Sequence, residues 1–67
     1  MNGNEFLKFV RREARRRGLG PVELITARGK GSHITVRLGD RFTVLKDRKK
    51  EISKGLLSAL LRQLGLD

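Results

Sequence analysis

Sixty-seven residues with no cysteine and a single histidine make one small domain, residues 1–67, with neither a disulfide framework nor the ligands of an ordinary metal cage, and with no room for a deep private cavity. Sixteen Lys and Arg against seven Asp and Glu leave a net charge of +9, which favours a polyanionic partner, nucleic acid before a membrane surface, because phosphate affinity grows with the number of cations brought to the backbone. No apolar run approaches a membrane span and no signal-peptide layout opens the chain, so the expectation is a cytoplasmic protein that needs no cofactor.

Asn2 followed by Glu5 reads as a capping box opening a helix over Gly3 to Arg17, with Phe6, Val10 and Ala14 at helical spacing and Phe9 and Leu7 widening the apolar stripe. Arg11, Arg12, Arg15, Arg16 and Arg17 crowd its last turns, as a solvated helix end or a phosphate contact, and Gly18 is a natural stop. After Leu19, Gly20 and Pro21, the Val, Leu, Ile and Thr content of residues 22–28 predicts a first strand. A glycine-rich turn over Gly29 to Ser32 leads into a second strand, His33 to Leu38, whose apolar Ile34, Val36 and Leu38 alternate with Thr35 and Arg37.

Gly39 and Asp40 signal a hairpin into a third strand, Arg41 to Lys46. Burial favours an odd loop that includes Arg41, setting Leu38 opposite Phe42, Val36 opposite Val44, Arg37 opposite Thr43 and Thr35 opposite Leu45, and bringing Asp47 near His33. Asp47 to Glu51 reads as a polar, basic linker. Ser53 caps a second helix, Lys54 to Leu64, with an apolar face of Leu56, Leu57, Leu60, Leu61 and Leu64, and Gly65 ends it. Gly55, unfavourable inside a helix, points to close packing or a nearby phosphate. The result is an α+β, two-layer α-β-β-β-α domain with a three-stranded antiparallel sheet and both helices on one face. Its expected core is Phe6, Val10, Ile34, Val36, Leu38, Phe42, Val44, Leu57 and Leu60, and its open face carries His33, Thr35, Arg37 and Thr43.

Chemistry concentrates around His33. Histidine is the side chain whose ordinary titration range spans neutrality, and here it stands at the lip of a loop in which Gly29 and Gly31 flank Lys30, so that the backbone can offer N–H groups to an anion. Ser32 reads as a loop hydrogen-bonder rather than a nucleophile, since no base and carboxylate are placed to activate it.

Gly31-Ser32-His33 opening a strand, then a third strand, a polar stretch, Ile52-Ser53-Lys54-Gly55-Leu56-Leu57, and a closing run from Ala59 to Leu66 together resemble the HicA family of RNA-cleaving toxins. The resemblance implies a fold like the double-stranded-RNA-binding domain, cleavage of mRNA, a catalytic histidine falling on His33, and a HicB-type antitoxin protein that blocks the site. The chain departs from the family in lacking a Trp-containing stretch after the first helix and a Pro at the end of the third strand. If RNA is cut without metal, attack by the ribose 2′-hydroxyl leaves the protein to move protons and stabilise charge, with His33 as general base or general acid. Arg28, Lys30, Gly31, Ser32, Arg37, Lys46 and Lys54 are the candidates for holding RNA, and a single histidine predicts a slow enzyme. Two rivals stand beside this reading: a non-catalytic RNA-binding module of the same element order, and a basic protein-interaction module. A sheet-face reader of single strands is disfavoured because no aromatic is expected on the open face.

Overall fold

The computed structural model describes residues 1–26 and 33–67. Five elements follow in chain order: α1 (Gly3–Arg17), β1 (Val22–Thr26), β2 (Ile34–Leu38), β3 (Arg41–Leu45) and α2 (Lys54–Leu64). Both helix spans match expectation. The Asn2 side chain accepts from the Glu5 N–H while Glu5 Oε1 accepts from the Asn2 N–H, both at 2.9 Å, so the capping box is complete. Phe6, Leu7, Val10 and Ala14 turn inward from α1. Ser53 caps α2 through the Leu56 N–H at 3.3 Å.

The strands form one antiparallel sheet in the order β1-β2-β3. Against one face of it the two helices close a core of Phe6, Val10, Ile34, Val36, Leu60 and Leu64 with their neighbours. This is the α+β, double-stranded-RNA-binding-domain type of fold. Three members of the core were not foreseen, one of them Leu45, which the hairpin register explains. Ile52 is buried just before α2, and Leu66 folds back after Gly65, its N–H donating to Leu61 O at 2.8 Å in the Schellman arrangement that buries an apolar residue just beyond the helix end.

The hairpin register differs from the odd loop expected. Arg37 pairs with Phe42, Val36 with Thr43, Thr35 with Val44 and Ile34 with Leu45, leaving Gly39 and Asp40 as a two-residue turn. Gly39 takes φ +65°, the conformation that a tight hairpin demands of its first central residue and that glycine adopts at little cost. Because side chains alternate with period two, this single step turns β3 over. Phe42 and Val44 are 61% and 45% exposed instead of buried, while Thr43 and Leu45 are 1% and 3% exposed and face the helices. The buried Thr43 hydroxyl is satisfied by donating to Gln63 Oε1 on α2, which removes the penalty that burial would impose on it. Leu56, expected on the buried face of α2, is 48% exposed beside Phe42 and Val44.

Residues 47–51 are not a free linker. The Gly3 and Asn4 N–H groups, unpaired within the first turn of α1, donate to Lys50 O at 3.2 Å and Arg48 O at 2.9 Å, and Ile52 N–H donates to Met1 O at 2.8 Å. Asn2 and Glu51 form an antiparallel bridge. The approach is close enough to require glycine: a Cβ on Gly3 would stand 2.6 Å from Arg48 Cα and 2.7 Å from Asp47 O. Gly55 is different, with nothing within 4 Å of an added Cβ, so packing does not explain its small size.

Two outcomes follow for stability. Gly3→Ala improves helix propensity yet drives a methyl into backbone, so thermal unfolding should show a loss of about 1–3 kcal/mol, read as a Tm lower by roughly 5 °C or more; an unchanged or higher Tm would remove the close-approach argument. For the register, Phe42→Ser should change stability by less than about 0.5 kcal/mol, whereas Leu45→Ala should cost about 2–5 kcal/mol, and chemical denaturation of the two variants would expose the reverse ranking if β3 faced the other way.

Candidate functional site

His33 is exposed and stands immediately before β2. Ile34 pairs with Leu45, so the next step of the register sets His33 across from Lys46. That replaces the expected neighbour: Asp47 lies one residue further along and its Oδ1 accepts from the Lys49 N–H at 2.8 Å, closing a local turn. Lys46 therefore stands at the sheet end where His33 sits, and the chain that carries Arg48, Lys49 and Lys50 continues from there. Lys54 joins Lys46 there, because α2 starts at the end of the sheet where β3 finishes and runs back until Gln63 meets Thr43.

Arg37 is not part of this cluster. It lies four residues along β2, roughly 13 Å from His33 at the usual strand rise. There its Nε donates to Gly39 O at 3.1 Å and lies 4.0 Å from Glu23 Oε1 across the β1–β2 pair. Arg28, Lys30, Gly31 and Ser32, the remaining candidates for holding RNA, lie outside the described residues.

The open sheet face is not the polar surface expected. Ile25, 49% exposed, shares a cross-strand row with Thr35 and Val44, and Phe42 stands in the next row beside Arg37 and Glu23. The ground on which a sheet-face reader was disfavoured therefore fails, since Phe42 presents an aromatic ring there. Turn length, which argues against the burial pattern here, is the signal that decides the register. A two-residue Gly-Asp loop, taken at its strongest preference, would have put Phe42 outside.

Elsewhere the charges are partly paired. On α1, Glu13 takes Arg16 at 2.7 Å and Arg17 at 3.3 Å. The hydrogen bond from Arg16, reinforced by the charges of both arginines, holds the Glu13 carboxyl below its usual range. Arg17 also donates to Leu66 O at 3.3 Å, tying the end of α1 to the C-terminal segment.

Compared with known proteins, residues 22–66 match the sequence model of one family, described as the HicA toxin of bacterial toxin–antitoxin systems. The chain belongs to the HicA toxin family. Searches among curated proteins and among solved structures found no match. In this HicA chain the match spans the whole sheet, α2 and the basic 46–50 stretch, and leaves α1 outside it. Membership makes the chain the toxin member of a toxin–antitoxin pair, so an antitoxin partner is part of its biology. No helix among the described residues is long and apolar enough to cross a membrane.

Proposed function

We propose that this HicA toxin, acting as a single domain over residues 1–67, is an endoribonuclease that cleaves mRNA with His33 as its catalytic residue. What supports the reading is one arrangement: the chain's only imidazole is solvent-exposed at the end of the sheet where Lys46 and Lys54 also lie. The cations draw in the ribose-phosphate backbone and oppose the negative charge that grows on the phosphorane oxygens. Lys30 and the Gly31 and Ser32 N–H groups are proposed to share that role, with Arg28 on the approach. Arg37, held by Gly39 and Glu23, would contact RNA away from the cut.

In this mechanism His33 removes the proton from the ribose 2′-hydroxyl as the 2′-oxygen attacks the adjacent phosphorus. The P–O5′ bond breaks, leaving a 2′,3′-cyclic phosphate on one product and a 5′-hydroxyl on the other. The 5′-oxygen takes its proton from water or a lysine, since no second histidine is present. The nucleophile belongs to the substrate, so the step needs no metal or cofactor. Purified chain with an RNA substrate in chelator should yield these ends by mass spectrometry. His33→Ala should slow cleavage by about 10²- to 10⁴-fold while RNA affinity stays within a few-fold, and an unchanged rate would remove His33 from the chemistry.

The partner is proposed to be a HicB-type antitoxin that covers the open sheet face. Ile25, Phe42 and Val44 form an apolar surface on the side that His33 shares, and surfaces of this kind mark protein interaction sites. Ile25 and Val44 offer no π-face for a base and leave Phe42 as a lone aromatic, which favours a protein there over RNA. In growth assays with the neighbouring antitoxin gene co-expressed, Phe42→Glu should restore toxicity by weakening the complex at least about tenfold, in line with loss of a buried aromatic anchor. Loss of RNA cleavage by the isolated Phe42→Glu chain would instead assign the ring to substrate.

A further inference from the structure

Four cations on α1 have no role in the cleavage reading. Lys8, Arg11, Arg12 and Arg15 lie on the exposed side of the helix, opposite the stripe of Phe6, Leu7, Val10 and Ala14 that enters the core. Their spacing puts Lys8 beside Arg11 and Arg12, and Arg15 beside Arg11 and Arg12, four like-charge neighbours at three- or four-residue separation, each of which opposes helix formation. No acidic side chain on the helix offsets this. Glu13 is taken up by Arg16 and Arg17 and Glu5 closes the capping box, and among the described residues none of the four makes an ion pair.

The four side chains border one shallow depression, and Arg11 and Arg15 also border the groove between the end of α1 and the Pro21–Val22 start of β1. The two share Arg11 and Arg15 as walls. They form a cationic trough along α1 toward the start of β1, the sheet end opposite His33, since Val22 pairs with Leu38 while Thr26 pairs with Ile34.

We infer that this trough is a second RNA site, which grips the phosphate backbone of the substrate away from the segment being cut. It rests on the RNA reading proposed above, and its four cations precede the matched residues 22–66. Forked guanidinium groups at successive helical turns suit phosphate oxygens, which accept two parallel N–H bonds from arginine. A lipid surface fits less well, because the apolar face an interfacial helix inserts is here buried in the core. An acidic protein fits less well because the apolar lining is confined to Ala14, Pro21 and Val22 at one end, with no large apolar anchor among the four cations. The trough binds the same substrate molecule as His33 without touching the scissile phosphate, so it acts on affinity and not on the chemical step.

Binding of a labelled single-stranded RNA to the His33→Ala chain, followed by fluorescence anisotropy across salt concentrations, tests the assignment. Arg11→Ala with Arg15→Ala should weaken binding at least about tenfold and reduce the slope of log affinity against log salt by about 1.4, the value for two lost single-strand phosphate contacts. Arg16→Ala with Arg62→Ala removes the same charge elsewhere and should change affinity less than about threefold. In the His33 chain the trough variant should raise KM and leave kcat unchanged. Its Tm should be equal or higher, because like-charge neighbours are gone; should that variant fail to fold, Lys8→Gln with Arg12→Gln tests the same surface, with the same result expected. Equal affinity of the trough and control variants would overturn the inference while the RNA reading stands. No RNA affinity in the His33→Ala parent at about 50 mM salt would overturn both. Unchanged RNA affinity with lost binding to phosphatidylserine vesicles or to polyglutamate would assign the trough to lipid or acidic protein instead.

Discussion

The turn at Gly39 and Asp40 is the constraint on which the molecule's surface depends. With only two residues between β2 and β3, and a left-handed backbone at the first, the pairing is locked with Arg37 across from Phe42. Everything outward or inward on β3 is then decided. Leu45 enters the core, Phe42 and Val44 leave it, and Thr43 goes inside at the cost of needing a partner for its hydroxyl. Gln63 supplies that partner from the last turn of α2, so the turn also fixes how far α2 slides along the sheet. A side chain that looks misplaced in the core is thus a bond between layers.

Much of this was legible in the residues themselves. The helix ends were readable because their signals are local: Asn2 with Glu5, Gly18, Ser53 and Gly65 each act within one turn. The strands were readable from alternation and from turn residues on either side. The register was not, because two local rules conflicted there. Placing two apolar residues inside argued for an odd loop, whereas backbone twist argued for an even one, and the twist prevailed because a lone buried threonine could be satisfied from a distant helix. The basic stretch 47–51 misled for another reason. Its composition is that of a linker, and nothing local reveals that its carbonyl groups answer the N–H groups of a helix that begins some forty-five residues earlier.

The site divides in the same way. His33 stood out because it is the single imidazole and sits at a strand start, and Lys46 and Lys54 follow it to the same sheet end. The apolar surface of Ile25, Phe42 and Val44 depends on register and was hidden with it. Charge was visible as a total, but its partition was not. Glu13 neutralises one part of the arginine run and leaves another part bare, a distinction that depends on which side of α1 each residue occupies. The HicA match covers the sheet and α2, while the arginine-bearing helix lies outside it.

The clamp between Gly3 and residues 47–50 reaches beyond stability. With Arg48 O and Lys50 O engaged by α1 and Asp47 closing a turn on Lys49, the backbone beneath the lysines is held before any polyanion arrives. Only the flexible ends of those side chains remain to be ordered in an encounter, so most of the entropic loss falls on folding and little on association. A loop of the same composition without the clamp would carry equal charge and still be a poorer landing surface.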